Sequence, residues 1–181
     1  MRIPHLTRVL ISAATAWLLA AGPGAAQSFS TVDQARAFFA CKTTMTYSPR
    51  GPRGHGTQVE YLDPDGSAHL WYPGNRGILR GDWRISTVRA KRGGTEVGLC
   101  FRYDTFGRNP VTGTIGTQWI CTSAAEQARR WTESRSGDVL QLKGRGPSIP
   151  FVLSPDRTSL SALAARMGIS LKATGCAART S

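Results

Sequence analysis

Acidic side chains are scarce in this sequence: 11 Asp and Glu stand against 23 Lys and Arg in 181 residues, and histidine occurs three times. Only His55 and His69 lie beyond the amino-terminal apolar stretch, so imidazole chemistry has few starting points. There is no G-x-S-x-G, no H-E-x-x-H and no glycine loop of the phosphate-cradling kind opening a helix. C-x-x-C spacing is also missing, which argues against zinc. Most carboxylates are scattered over separate turns and strand exteriors, which offers no paired acid and base. These absences favour a non-enzymatic protein with no cofactor and no metal. An enzyme whose residues meet only in space remains as a third reading, a small hydrolase depending on His55 or His69.

A long hydrophobic run is lacking too. Arg2 and Arg8 precede an apolar stretch from Val9 to Ala21, and Gly24, Ala25 and Ala26 follow before Gln27. That is the charged, apolar, small-residue order of a secretory signal peptide, and the run is short for a membrane span. The expectation is a signal over 1–26 and one β-rich domain over 27–181, periplasmic or secreted, with no membrane span after cleavage. Removing Arg2 and Arg8 leaves 21 basic and 11 acidic residues, a formal charge of +10. Such an excess favours an anionic envelope component or an acidic protein as partner, while export argues against nucleic acid. A basic surface serving solubility alone is the plainer alternative. About 155 residues suffice for one core.

Cys41, Cys100, Cys121 and Cys176 are even in number, which in an exported chain reads as two disulfides. Four cysteines permit three pairings. Cys100 and Cys121 flank Asn109-Pro110-Val111 symmetrically and would face each other in a hairpin, which leaves Cys41 for Cys176. Chain entropy assigns roughly 3 and roughly 5 kcal/mol to these two loops as upper figures.

The segment Gly77 to Thr122 organises the rest. Leu79, Gly81, Trp83 and Ile85 alternate with Arg80, Asp82 and Arg84, the period of a half-buried strand, and Val97, Leu99, Phe101 and Tyr103 share a face in the next. A third strand is expected over 116–122. Arg84 and Arg102 fall on adjacent strands, away from the apolar stripes, so they are placed to converge on one anion; two solvated arginines are the plainer reading. With Arg80, Arg108 and Trp119 they define a candidate basic binding edge. The loop 104–115, which holds Phe106 and Arg108, is longer than a hairpin needs, and long ordered loops are disproportionately functional.

Elsewhere, Ser30 or Thr31 caps a helix within 27–42 whose Val32, Ala35, Phe38 and Phe39 form an apolar stripe. Thr43–Tyr47 reads as a strand and 48–56 as a loop containing His55. The runs 57–62 and 67–72 form a hairpin about Asp63-Pro64-Asp65-Gly66, whose carboxylates belong to the turn. His69 is expected at the surface or an edge beside Trp71. Ser123 to Glu126 fits a capping box for a short helix, and Trp131–Ser134 reads equally as strand. Strands are expected at 139–142 and 149–153, with Pro150 marking an edge, then a helix over 157–168 capped by Thr158 or Ser159, and a tail over 169–181. The sum is a mainly β protein with its sheet over 43–153: seven to nine antiparallel strands in a meander, a lipocalin-like barrel or half-open bent sheet carrying a helix from each end of the chain.

Gly81-Asp82-Trp83, followed by Leu99-Cys100-Phe101 and preceded by the Asp65-Gly66 hairpin, resembles exported bacterial small β-barrel proteins of unknown function with a Gly-x-Trp strand and a Leu-Cys strand. More distantly, residues 57–153 resemble the periplasmic protease-inhibitor family of eight-stranded barrels. The resemblance implies a small antiparallel barrel. In that inhibitor family the amino-terminal segment enters the target enzyme. Here that segment reads as a capped helix, so inhibition of an exported hydrolase would fall to a protruding loop such as 104–115.

Overall fold

The computed structural model describes residues 27–51, 54–103, 116–145, 148–172 and 176. The chain runs α1 (Val32–Phe39), β1 (Lys42–Gly51), β2 (Gly54–Leu62), β3 (Ser67–Trp71), β4 (Leu79–Arg89), β5 (Thr95–Tyr103), β6 (Ile120–Ser123), α2 (Ala124–Arg129), β7 (Trp131–Ser136), α3 (Leu142–Arg145) and α4 (Leu160–Arg166). Seven antiparallel strands form one sheet in the order β6-β5-β4-β3-β2-β1-β7. The first six are a plain meander, and β7 adds to the free side of β1. The sheet curls into a half-barrel. The two edge strands, β6 and β7, are joined by α2, whose six residues at about 1.5 Å each hold their adjoining ends within roughly 10 Å. That gap is about two strand spacings wide.

Side-chain alternation sorts the sheet into two faces. Leu62, Ala68, Trp83, Ile85 and Leu99 line the inner, concave face, where they meet Ala35 and Phe39 of α1 and Ala124 of α2. Thr31 caps α1 by accepting from the Gln34 amide at 3.1 Å, and Gln34 reaches back to the Ser30 amide. On the outer face of β1–β3, Met45, Val59, Tyr61 and Trp71 are covered by Val139, Leu140, Leu142, Leu153, Leu160 and Leu163. Each such aliphatic side chain contributes about 1.5–3 kcal/mol on burial.

Several expectations need correction. Residues 139–142 and 149–153 are not strands: their apolar side chains lie on the outer face as a cover, so the sheet ends at Ser136 rather than at 153. The third strand of the central segment begins at Ile120, because 116–118 form a turn. Most of 48–56 is not loop but the paired ends of β1 and β2, including Ser48 opposite Gly56 and Gly51 opposite Gly54. The capping box is not formed: Ser123 makes no side-chain cap, and Glu126 turns to Lys91 and Arg130 and not back to the Ser123 amide. The helices at the two ends are shorter than expected, at 32–39 and 160–166; Ser159 caps the second through the Ala162 amide.

Both disulfides form as expected, Cys100–Cys121 across β5 and β6 and Cys41–Cys176 between the end of α1 and the tail. Cys41 turns the chain from helix to strand at φ 61°, a conformation uncommon for a residue with a side chain. Its amide donates to Leu62, its carbonyl accepts from Gly137, and the disulfide completes the hold.

Gly81 explains the first glycine of the Gly-x-Trp strand. A Cβ there would stand 2.3 Å from the Arg102 carbonyl oxygen and 2.6 Å from the Tyr103 ring. The bare backbone of β4 lets that ring lie across it on the inner face, and the Tyr103 hydroxyl then donates to the Glu60 carboxylate on β2. Trp83 completes the motif: its indole N–H donates to the Asp63 carbonyl at 2.8 Å, binding β4 to the β2–β3 turn.

Candidate functional site

Where β4–β6 turn their outer face to solvent, no helix among the described residues covers the sheet. The alternation that buries Trp83 and Ile85 sends Arg80, Asp82 and Arg84 outward, and the register sets Arg84 opposite Cys100 and Asp82 opposite Arg102. Trp119, just before β6, joins them. The Arg84 guanidinium lies 4.2 Å from the centre of the Trp119 ring, and that of Arg102 lies 5.0 Å from it. Two strands thus bring both guanidinium groups onto one indole, each contact contributing about 0.5–1 kcal/mol at an exposed site.

The two arginines are not equivalent. Arg102 donates from Nε and Nη2 to one oxygen of Asp82, at 3.1 and 2.5 Å, an exposed pair of about 0.2–1 kcal/mol. Arg84 has no ion-pair partner among the described residues. The shelf is therefore a stacked indole carrying one neutralised and one available guanidinium.

Arg80 does not join it. Four residues from Arg84 along the same strand is about 13 Å, and its register partner is His69 on β3. Arg108 and the 104–115 loop lie outside the described residues.

His69 is not the surface residue its strand position suggested. It is 6% exposed, because the cover from Asp138 to Lys143 closes over the outer face at that point. Burial lowers its pKa first; the Asp138 carboxylate opposes this, and Arg80 and Lys143 add to it. Its Nε2 stands 3.2 Å from the Ser67 hydroxyl, the nearest approach to a nucleophile–base pair among the described residues. The Ser67 proton goes to Asp65 at 2.7 Å, so the imidazole donates to that oxygen rather than activating it. Asp63 and Asp65 keep the turn role expected of them. Asp63 accepts from the Asp65 amide and Asp65 from the Ser67 amide, while Lys143 of α3 spans both carboxylates at 2.8 and 3.0 Å. Burial opposes ionisation of Asp65, but the Ser67 hydroxyl and amide and then Lys143 prevail and hold it well below the usual carboxylate range. His55 lies in β2, its ring edge-on to Tyr72 at 5.9 Å, and burial lowers its pKa.

Sequence reasoning missed Glu60 and Tyr103. Alternation places Glu60 between Gln58 and Leu62 on the inner face, and an acid on an inward position was the available signal. Glu60 keeps some exposed surface, yet burial of its carboxyl raises its pKa to about 7 against the opposing hydrogen bond from Tyr103. The Tyr103 phenol is pushed well above its usual value by burial and by Glu60.

No family model, no curated protein and no solved structure matches this chain.

Proposed function

We propose that this chain is a non-enzymatic binding protein acting outside the cytoplasm, in the periplasm or after secretion, which presents the Arg84–Trp119–Arg102 shelf to an anionic envelope component. The observation that carries the reading is the available Arg84 guanidinium, held over the Trp119 ring beside a second guanidinium. A stacked guanidinium loses little freedom on binding, and its outer edge offers paired donors to a phosphate or carboxylate. The two disulfides and the signal-like order of residues 1–26 support the location. The net excess of basic residues supports the sign of the partner.

The test is sedimentation of the protein with vesicles containing phosphatidylglycerol and with vesicles of phosphatidylcholine alone, over a range of salt. Binding should be confined to the anionic vesicles and fall as salt rises. Arg84→Glu should weaken it about tenfold or more, at an unchanged melting temperature. Arg84 is the residue to reverse first, since removing Arg102 also strands Asp82. Binding that ignores Arg84→Glu, or capture of an acidic protein with no vesicle binding, would refute the reading.

A further inference from the structure

The inner face of the half-barrel holds a small, partly enclosed polar cleft that the outer shelf does not use. Its walls are Thr44 and Thr46 of β1, Gln58 and Glu60 of β2, Leu70 of β3 and Gln127 of α2. The space is about 40 Å³, room for roughly three water-sized groups. Glu60 is anchored on one side only: Tyr103 donates to Oε1, and Oε2 has no partner among the described residues. Thr44 donates to the Glu60 carbonyl, while the side-chain polar groups of Thr46, Gln58 and Gln127 have no hydrogen-bond partner among the described residues.

Among the described carboxylates without an ion-pair partner, Glu60 is set apart by its place in the lining of a cleft. Asp63 and Asp65 face Lys143, Asp82 faces Arg102, and Glu126 faces Lys91 and Arg130. In a chain with twice as many basic as acidic side chains, this carboxylate on the concave face has a phenol and, among the described residues, no cation. A partly buried carboxylate is disfavoured without a counter-charge.

We propose that this cleft is a binding site for a small primary ammonium ion, with Glu60 as the counter-charge. Glu60 Oε2, the Thr46 hydroxyl and the amide oxygens of Gln58 and Gln127 are the acceptors on its walls, and an ammonium head brings three donors and fits the space. Leu70 supplies the one apolar wall, suited to a short alkyl stem. Tyr103, by donating to Oε1, leaves Oε2 as the oxygen for the guest. The cation binds the ionised carboxylate, so binding competes with a proton on Glu60. Tyr103 on β5 is the titratable group facing it, and the walls from β1, β3 and α2 bring no charge.

The experiment titrates the protein with methylammonium chloride and follows the Glu60 carboxyl carbon by NMR, at pH 6 and pH 8, with potassium and tetramethylammonium chloride as matched salts. Saturable binding of methylammonium is expected, roughly tenfold tighter at pH 8 than at pH 6 because ionisation of Glu60 near pH 7 gates it. Glu60→Gln, which keeps an acceptor for Tyr103, should abolish it while circular dichroism shows the same fold. An equal response to tetramethylammonium or potassium overturns the proposal, as does methylammonium binding that survives in Glu60→Gln or no saturable response at pH 8.

Discussion

Tyr103 on β5 donates its hydroxyl to Glu60 on β2, with β3 and β4 lying between the two strands. A phenol long enough to pass over two strands meets a carboxylate only because the sheet curls and because β4 carries no side chain at Gly81. The contact is both a measure of the curvature and a tie that fixes it.

Gly81→Ala should therefore be one of the costlier single changes in the chain. The new methyl would meet the Arg102 carbonyl and the Tyr103 ring at once, and neither is the free end of a flexible side chain. Parting β4 from β5 should cost about 2–4 kcal/mol by denaturant unfolding. Gly144→Ala is the control, because a Cβ there meets nothing within 4 Å and α3 gains a better helix former. Equal effects from the two substitutions would dismiss the steric account.

The Glu60–Tyr103 tie gives stability a pH dependence of defined sign. Glu60 titrates near 7 in the folded chain and at its ordinary, lower value when unfolded, so the fold holds the proton more tightly. Its contribution is complete below pH 4.5 and is lost as pH rises through about 7. Glu60→Gln, which cannot ionise, should gain on the wild type by about 2 kcal/mol between pH 5 and pH 8.5. Unfolding curves at the two pH values decide it, and a difference independent of pH would show that Glu60 is not the group responsible.

The curled meander was legible in the sequence because alternation is a local property. Leu79 to Ile85 and Val97 to Tyr103 fix which side chains share a face whatever lies across from them. The same alternation placed Arg84 and Arg102 together, and the even cysteine count led to both disulfides. What failed was assignment of apolar runs that lack a partner in sequence. Val139 to Leu142 and Ile149 to Leu153 have strand-like composition, but their burial comes from covering Trp71 and Met45 on the outer face and not from pairing with a strand. His69 was misplaced for the same reason, since the segment that buries it lies some seventy residues later. Glu60 was overlooked because its significance depends on Tyr103, a partner 43 residues away.

Lys143 joins the covering segment to the β2–β3 turn, and the strength of that clasp follows the ionisation of Asp65. Asp65 is held well below its ordinary pKa, so its contribution is present above about pH 4 and fades as pH falls through the lower folded-state value. Lys143→Met should cost about 1–2 kcal/mol at pH 7, because it leaves the nearly buried Asp63 and its neighbour without their cation. In strong acid, below the lowered folded-state value of Asp65, the gap between variant and wild type should narrow. A penalty as large at low pH as at neutral pH would mean that packing of the lysine stem, and not the ion pair, supplies the effect.

Arg84 and Trp119 carry one more consequence, for the disulfide beneath them. Arg84 stands opposite Cys100, and Cys100 stands opposite Cys121, so a guanidinium reaching from β4 to stack on Trp119 at the β6 side passes over Cys100. Cys100 is fully buried although no helix among the described residues covers this part of the sheet, whereas Cys121 is exposed. Thiol–disulfide exchange requires an approach to sulfur, so the stacked pair should slow attack on this bond. Trp119→Ala should speed reduction of Cys100–Cys121 by dithiothreitol about three- to tenfold, as read by peptide mapping of the trapped thiols. Reduction of the distant Cys41–Cys176 bond should be unaffected, which separates local shielding from a general loosening of the fold. If both bonds are reduced faster, the substitution has destabilised the whole sheet; if neither is, the shelf does not protect the disulfide.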